Sequence, residues 1–189
     1  TDDRVDAIFG EGEELPDDAS KVIDGGGQTM IPGLVDAHGH VLTYGLGLLR
    51  VDLVGATTEA EAAQRVLDFA ADNTELEWVQ GRGWNQVLWD SNEFPTAASL
   101  DALVSGRPVW LTRVDGHAAW ANTMAMELAG INQDTEDPVG GQIIRDENGN
   151  ATGVFVDTAM SYIREQIPDT SFEEQKVALI AAMKSLARY

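Results

Sequence analysis

Two of the chain's three histidines stand two residues apart, in Asp36-Ala37-His38-Gly39-His40. On an extended backbone, alternate side chains share a face. Asp36, His38 and His40 then project together, while Val35, Ala37 and Gly39 turn the other way. Two imidazoles so placed can chelate one divalent ion, and a carboxylate one step further in can orient an imidazole. The alternative is a structural or surface pair of histidines, but the segment is otherwise small and apolar, which favours the ion. The third histidine, His117, follows the apolar run 108–114 through Asp115-Gly116. In a loop over a pocket mouth its imidazole can hydrogen-bond substrate and serve as a catalytic group. Otherwise it pairs with Asp115 or a neighbouring carbonyl. Trp84, between Gly83 and Asn85, is a candidate to line a substrate pocket, whereas Trp89 and Trp120 read as core. Arg82 and Arg113, near strand ends, can meet a substrate carboxylate, but among so many acids they read better as partners of structural ion pairs.

The elements that must position these groups change character along the chain. Residues 1–33 are acidic and turn-rich, with three short apolar pieces at 5–9, 21–23 and 29–31 that predict antiparallel strands. From Pro32 onward strand and helix alternate. The pattern predicts a strand at 34–40 and a helix at 57–73. That helix opens on the capping box Thr58/Glu61 and carries Ala63, Val66, Leu67 and Ala70 on one face. It then predicts a strand at 77–81, a short helix at 96–104, a strand at 108–114 and a helix at 122–129 ended by Gly130. A hairpin follows, 142–145 returning through Asn148-Gly149 to 153–156. The last helix starts at the Ser171/Glu174 box, repeats Leu179, Met183 and Leu186, and shows no stop signal. Such alternation implies βαβ units and a mostly parallel sheet, an α/β fold.

Composition narrows the function. Of 189 residues, 32 are acidic and 12 basic, a formal charge of −20. A phosphate-backbone binder needs clustered Lys and Arg, so nucleic acid is excluded as a partner. No apolar run reaches membrane-span length, and Thr1-Asp2-Asp3-Arg4 has no signal-peptide character. The absence of cysteine removes disulfides, thiolate metal sites and thiol catalysis together. The eight acids of the first twenty residues lack calcium-loop spacing and read as a solvated face.

The stretch Pro32-Gly33-Leu34-Val35-Asp36-Ala37-His38-Gly39-His40, following Val22-Ile23-Asp24-Gly25, resembles the first barrel strand of the amidohydrolase superfamily. Further stretches are similar to its Amidohydro_3 branch, which includes N-substituted formamide deformylases. They are Gly81-Arg82-Gly83-Trp84-Asn85-Gln86, Pro95 to Asp101, Asp115-Gly116-His117-Ala118-Ala119-Trp120-Ala121-Asn122 and Thr152-Gly153-Val154-Phe155-Val156-Asp157. The resemblance implies a partial (β/α) barrel of the metal-dependent hydrolase type, a TIM-barrel relative. Residues 1–33 would be the N-terminal share of a small β-sandwich, and 34–189 the first part of the barrel with an inserted hairpin near 141–157. It implies one or two divalent ions, zinc first, with His38 and His40 as ligands. Asp157, where related sequences carry an acid, is either a metal-bridging carboxylate or the N-cap of a helix at 158–166.

The implied activity is hydrolysis of a non-peptide C–N bond of a small molecule by a metal-activated water. Alternatives are a heterocycle or amidine deaminase, and a non-catalytic binding or regulatory member. No histidine follows His117, so the resemblance places the later ligands and a proton-accepting aspartate outside this chain. The expectation is therefore a piece of a longer protein, inactive alone, that is either poorly stable by itself, self-associated as a homo-oligomer, or the ordered part of a longer chain.

Overall fold

The computed structural model describes residues 5–14 and 20–188. The chain divides into two compact units, Thr1–Gly39 and His40–Tyr189.

In the first unit the described residues form turns and no helix or strand. The amide of Gln28 reaches the carbonyl of Gly25 at 2.9 Å, and Gly26 N–H donates to Asp24 Oδ1 at 2.8 Å. The predicted strands at 5–9, 21–23 and 29–31 are absent among the described residues, because a strand exists only as a member of a ladder. Their apolar side chains stay exposed, Ile8 at 90% and Ile23 at 77%. The predicted strand at 34–40 is likewise absent. Asp36 Oδ1 accepts the amide of His38 at 2.8 Å, an Asx turn that bends the backbone. Asp36 therefore shapes its own loop instead of orienting an imidazole.

The second unit opens with α1 (Val41–Leu48), β1 (Val51–Asp52), α2 (Glu59–Asp72) and β2 (Val79–Trp84). A 3₁₀ turn (Gln86–Leu88), α3 (Ala97–Asp101), β3 (Val109–Arg113), β4 (Ala118–Ala121) and α4 (Thr123–Leu128) follow. The chain then runs through β5 (Gly141–Arg145), β6 (Ala151–Asp157), a 3₁₀ turn (Thr158–Met160), α5 (Ser161–Arg164) and α6 (Phe172–Leu186). These elements make a mixed α/β architecture around one six-stranded sheet in the order β1-β2-β3-β4-β6-β5. The β1–β2 and β2–β3 pairings are parallel; β3–β4, β4–β6 and β6–β5 are antiparallel. The sheet is thus less parallel than the alternation of elements predicts. Residues 114–117 are too short for a crossover, which takes a dozen residues or more. Asp115-Gly116, with Gly116 at φ +80°, turns the chain straight back.

Both faces of the sheet are covered. Val66 and Ala63 of α2 and Leu100 of α3 pack with Leu53, Val79, Leu111, Trp120 and Val154 on one side. Met126 of α4 and Ile163 of α5 pack with Trp110, Ala121 and Phe155 on the other. Helix α2 begins as the sequence predicts, Thr58 Oγ1 accepting Glu61 N–H at 3.0 Å. The return arm of that box goes one residue further back, from Thr57 N–H to Glu61 Oε2 at 2.8 Å. Helix α6 has both arms of its box. Its buried residues are Ala178 and Ala182, while Leu179, Met183 and Leu186 stay exposed. The reason is the neighbour: α1 approaches so closely that a Cβ on Gly45 would lie 2.1 Å from Ala178 O, and only small residues fit there.

Candidate functional site

Strands β3 and β6 are both antiparallel to β4, so they run in the same direction and their C-terminal ends meet at one edge of the sheet. The turn after β3 carries His117 to that edge, and β6 delivers Asp157. Four hydrogen bonds fix the assembly. Arg113 donates from Nε to Gln86 Oε1 at 2.9 Å and from Nη1 to Asp115 Oδ2 at 2.8 Å. Asp115 Oδ1 accepts His117 N–H at 3.0 Å. His117 Nδ1 lies 2.8 Å from Asp157 Oδ1. The backbones are joined as well, Asp157 N–H donating to His117 O at 2.9 Å.

A carboxylate only accepts, so its partner Nδ1 carries a proton, leaving Nε2 toward solvent in a side chain that is 75% exposed. The hydrogen bond and charge of Asp157, with the charge of Asp115 behind them, raise the His117 pKa above its ordinary 6.5. The expected pairing with Asp115 is made by the main chain of His117, and the ring takes a partner, forty positions away, that neither expectation named.

Asp157 is strained. It sits at φ 49°, ψ −120°, a conformation L residues rarely adopt, and its side chain makes no cap bond to the 3₁₀ turn that follows. The N-cap reading is thus not what the structure shows, and the carboxylate pairs with His117 instead. The elbow closes only because its register partner is Gly141, where a Cβ would lie 2.3 Å from Ala159 N. Gln86, Asp115 and Gly141 escape the sequence reading as members of this site. The Asp-Gly dipeptide between apolar runs, a hairpin signal, would have given the β3–β4 turn.

Trp84 lies in the core and not on a pocket. It is fully buried, its indole N–H donates to Leu111 O at 2.7 Å, and its ring lies 6.1–6.4 Å from Trp89, Phe94 and Trp120. The cause is a bulge at Gly83, where Arg82 pairs with Thr112 and Trp84 with Arg113. One extra residue moves the next side chain to the opposite face. Trp89 and Trp120 are core, as the sequence predicts. Arg113 forms its ion pair with Asp115, and Arg82 donates to Val114 O at 3.3 Å.

His38 and His40 are exposed. They are donors of the type a divalent ion takes, but a catalytic zinc takes three protein ligands. Among the described residues, no three His, Cys, Asp or Glu side chains gather to hold a metal. The described residues therefore do not complete a metal centre.

Comparison with known proteins gives the affiliation. The Amidohydrolase family model matches residues 21–189. Protein LONG AFTER FAR-RED 3 of Arabidopsis thaliana is 39% identical over 84% of this chain and 27% of its own length. N-substituted formamide deformylase of Arthrobacter pascens is 30% identical over 80% of this chain and 28% of its own. A solved metal-dependent hydrolase of Pyrococcus horikoshii OT3 superposes on 81% of this chain and 28% of its own, with a TM-score of 0.58 and 26% identity. The chain spans less than a third of each of these relatives. The matched residues run from before the His-x-His motif to beyond Asp157, and the chain belongs to the amidohydrolase family.

Proposed function

We propose that this chain is part of a metal-dependent hydrolase that cleaves a non-peptide, amide-like C–N bond of a small molecule. The observation that carries the reading is the family match over 21–189, which takes in both His38-Gly39-His40 and the His117–Asp157 pair. The amide class is supported by the relative named for N-substituted formamides.

A divalent ion, zinc first, when bound polarises a carbonyl and acidifies water. His38 and His40 are the donors this chain offers it. The remaining roles belong to groups at the edge of the sheet. Asp157 fixes the Nδ1–H tautomer of His117 and favours the imidazolium. Nε2 is then the nitrogen that faces outward, able to donate a hydrogen bond to an oxygen on which charge develops. Asp115 and Arg113 hold the loop so that this donor needs no rearrangement.

The test is metal content measured on the complete protein and on its His38→Ala/His40→Ala double variant, with products analysed on a panel of amides and cyclic amidines. Loss of bound metal with carboxylic acid and amine released from the unsubstituted protein is the expected result. Equal metal in both proteins rejects the ligand assignment, and ammonia release from the amidines moves the reaction to deamination.

A further inference from the structure

Among the described residues two polar side chains are buried, Asn122 and Gln86, and they are used differently. Asn122 serves the backbone. Its Oδ1 accepts Val109 N–H at 2.9 Å and Ala125 N–H at 3.1 Å, and its Nδ2 donates to Val104 O at 3.1 Å and Arg107 O at 2.9 Å. Buried main-chain groups need such partners, so the fold alone explains Asn122. Gln86 gives its side chain to no main-chain group. Its one side-chain hydrogen bond among the described residues is the one that Oε1 accepts from Arg113 Nε at 2.9 Å. A buried amide is costly unless bonded, and an apolar side chain of the same length would fill the space without that cost. What the amide adds is a hold on Arg113.

The hold is rigid at its base. Gln86 opens a 3₁₀ turn in which Asn85 Oδ1 accepts Val87 N–H at 3.2 Å and Gln86 O accepts Trp89 N–H at 3.0 Å. Trp89 is buried, its indole N–H donating to Ala56 O at 3.1 Å. Arg113 reaches Asp115 Oδ2 through a second nitrogen of the same plane, and Asp115 Oδ1 takes the amide of His117. A partly exposed arginine–carboxylate pair contributes little by itself, since two mobile side chains must be ordered to make it. With Nε already fixed, less of that freedom remains to be lost when Nη1 meets Asp115. The exits of β2 and β3 are thus tied side chain to side chain, and the tie ends on the residue that carries the imidazole. We propose that Gln86 is a positioning residue for His117, setting through Arg113 and Asp115 where the ring stands at the edge of the sheet. Its consequence for catalysis rests on the hydrolase reading; the positioning does not.

The test compares Gln86→Met, which keeps length and bulk and removes the acceptor, with Gln86→Glu, which keeps an acceptor, in the complete protein. Arg113→Met and the double variant complete a cycle. Hydrogen exchange read by mass spectrometry reports on residues 114–117 and on β4 beside them, and whichever amide of the panel is cleaved fastest gives kcat and KM. Gln86→Met should speed exchange at 114–117 about tenfold, the size of one lost charge-assisted hydrogen bond, and leave 118–121 unchanged. It should lower kcat about tenfold or more with KM within about twofold, because misplacing a reacting group costs rate more than affinity. Gln86→Glu should restore both readouts to within about threefold of the parent. If Gln86 acts only through Arg113, the double variant exchanges no faster than Arg113→Met alone. Unchanged exchange at 114–117, equal acceleration through 118–121, no rescue by Gln86→Glu, additive effects in the double variant, or a fall in kcat/KM carried by KM alone each overturns the assignment. Should Gln86→Met not fold, Gln86→Asn, which keeps the amide but withdraws it by one methylene, decides by the same readouts. A complete protein that cleaves no amide removes the hydrolase reading, and the exchange comparison still decides the role of Gln86.

Discussion

His40 and Asp157 occupy the same formal position, the residue that opens a helical turn, and neither side chain caps the turn it opens. What fixes them differs. His40 has φ −85°, within the ordinary range. Asp157 is held at φ 49° by β6, which is paired on both sides, and by the amide it gives to His117. A residue outside any strand ladder can keep relaxed geometry. Residues determined by a sheet can be kept strained, and the strain here aims a carboxylate at a histidine from another loop. The difference teaches where to expect large and small responses to substitution.

The largest response belongs to the packed interior. Trp84→Ala removes a fully buried indole from the aromatic cluster and should destabilise the second unit by about 3–5 kcal/mol in urea unfolding. His38→Ala/His40→Ala, on exposed side chains, should change stability by less than about 0.5 kcal/mol. A Trp84→Ala protein as stable as its parent would return that residue to the role of a pocket wall. Next comes the elbow. Gly141→Ala places a methyl against Ala159 N and Thr158 Oγ1, and overpacking of this kind costs about 1–3 kcal/mol. Gly106→Ala, where nothing crowds a Cβ and φ is not positive, separates the general effect of a glycine substitution from this contact. A loss at Gly141 no larger than at Gly106 would show that the elbow is not over-determined.

The strain itself can be measured. Asp157→Gly and Asp157→Ala both remove the carboxylate, but only glycine adopts φ near +50° without penalty. The glycine variant should be more stable than the alanine variant by about 1 kcal/mol. A reversed order would mean that the backbone at 157 is relaxed.

What the sequence made legible follows the same division. Helices α2 and α6 were readable from Thr58/Glu61 and Ser171/Glu174 because a capping box is complete within four residues. The hairpin β5–β6 was readable from Asn148-Gly149 for the same reason. Three features were not: one rests on a single inserted position, and two on local turns, at Asp115-Gly116 and at Asp36, that the strand–helix pattern overrode. The bulge at Gly83 turned Trp84 into the core, the return of β4 along β3 made half the sheet antiparallel, and the Asx turn of Asp36 replaced an extended run. Of the candidate site, His117 and Asp157 were both visible singly. Their pairing was not, because it exists only once β4 lies between β3 and β6.

The pairing has a pH signature, the smallest effect but the most specific. Asp157 and Asp115 raise the His117 pKa in the folded state, so the imidazole holds its proton more tightly there than in the unfolded chain. A group shifted upward stabilises the fold fully below its unfolded pKa, near 6.5, and loses that contribution as pH rises through the raised folded value. Stability contributed by this pair should therefore fall between about pH 6.5 and the folded pKa, and be flat below 6.5 once the carboxylates elsewhere are allowed for. NMR titration of the His117 ring should give a midpoint above 6.5 in the parent protein and a lower one in Asp157→Asn, which keeps the shape and removes the charge. If Asp157→Asn leaves the His117 midpoint where it was, the two side chains are neighbours without coupling. The strained elbow then has some purpose other than holding a protonated imidazole.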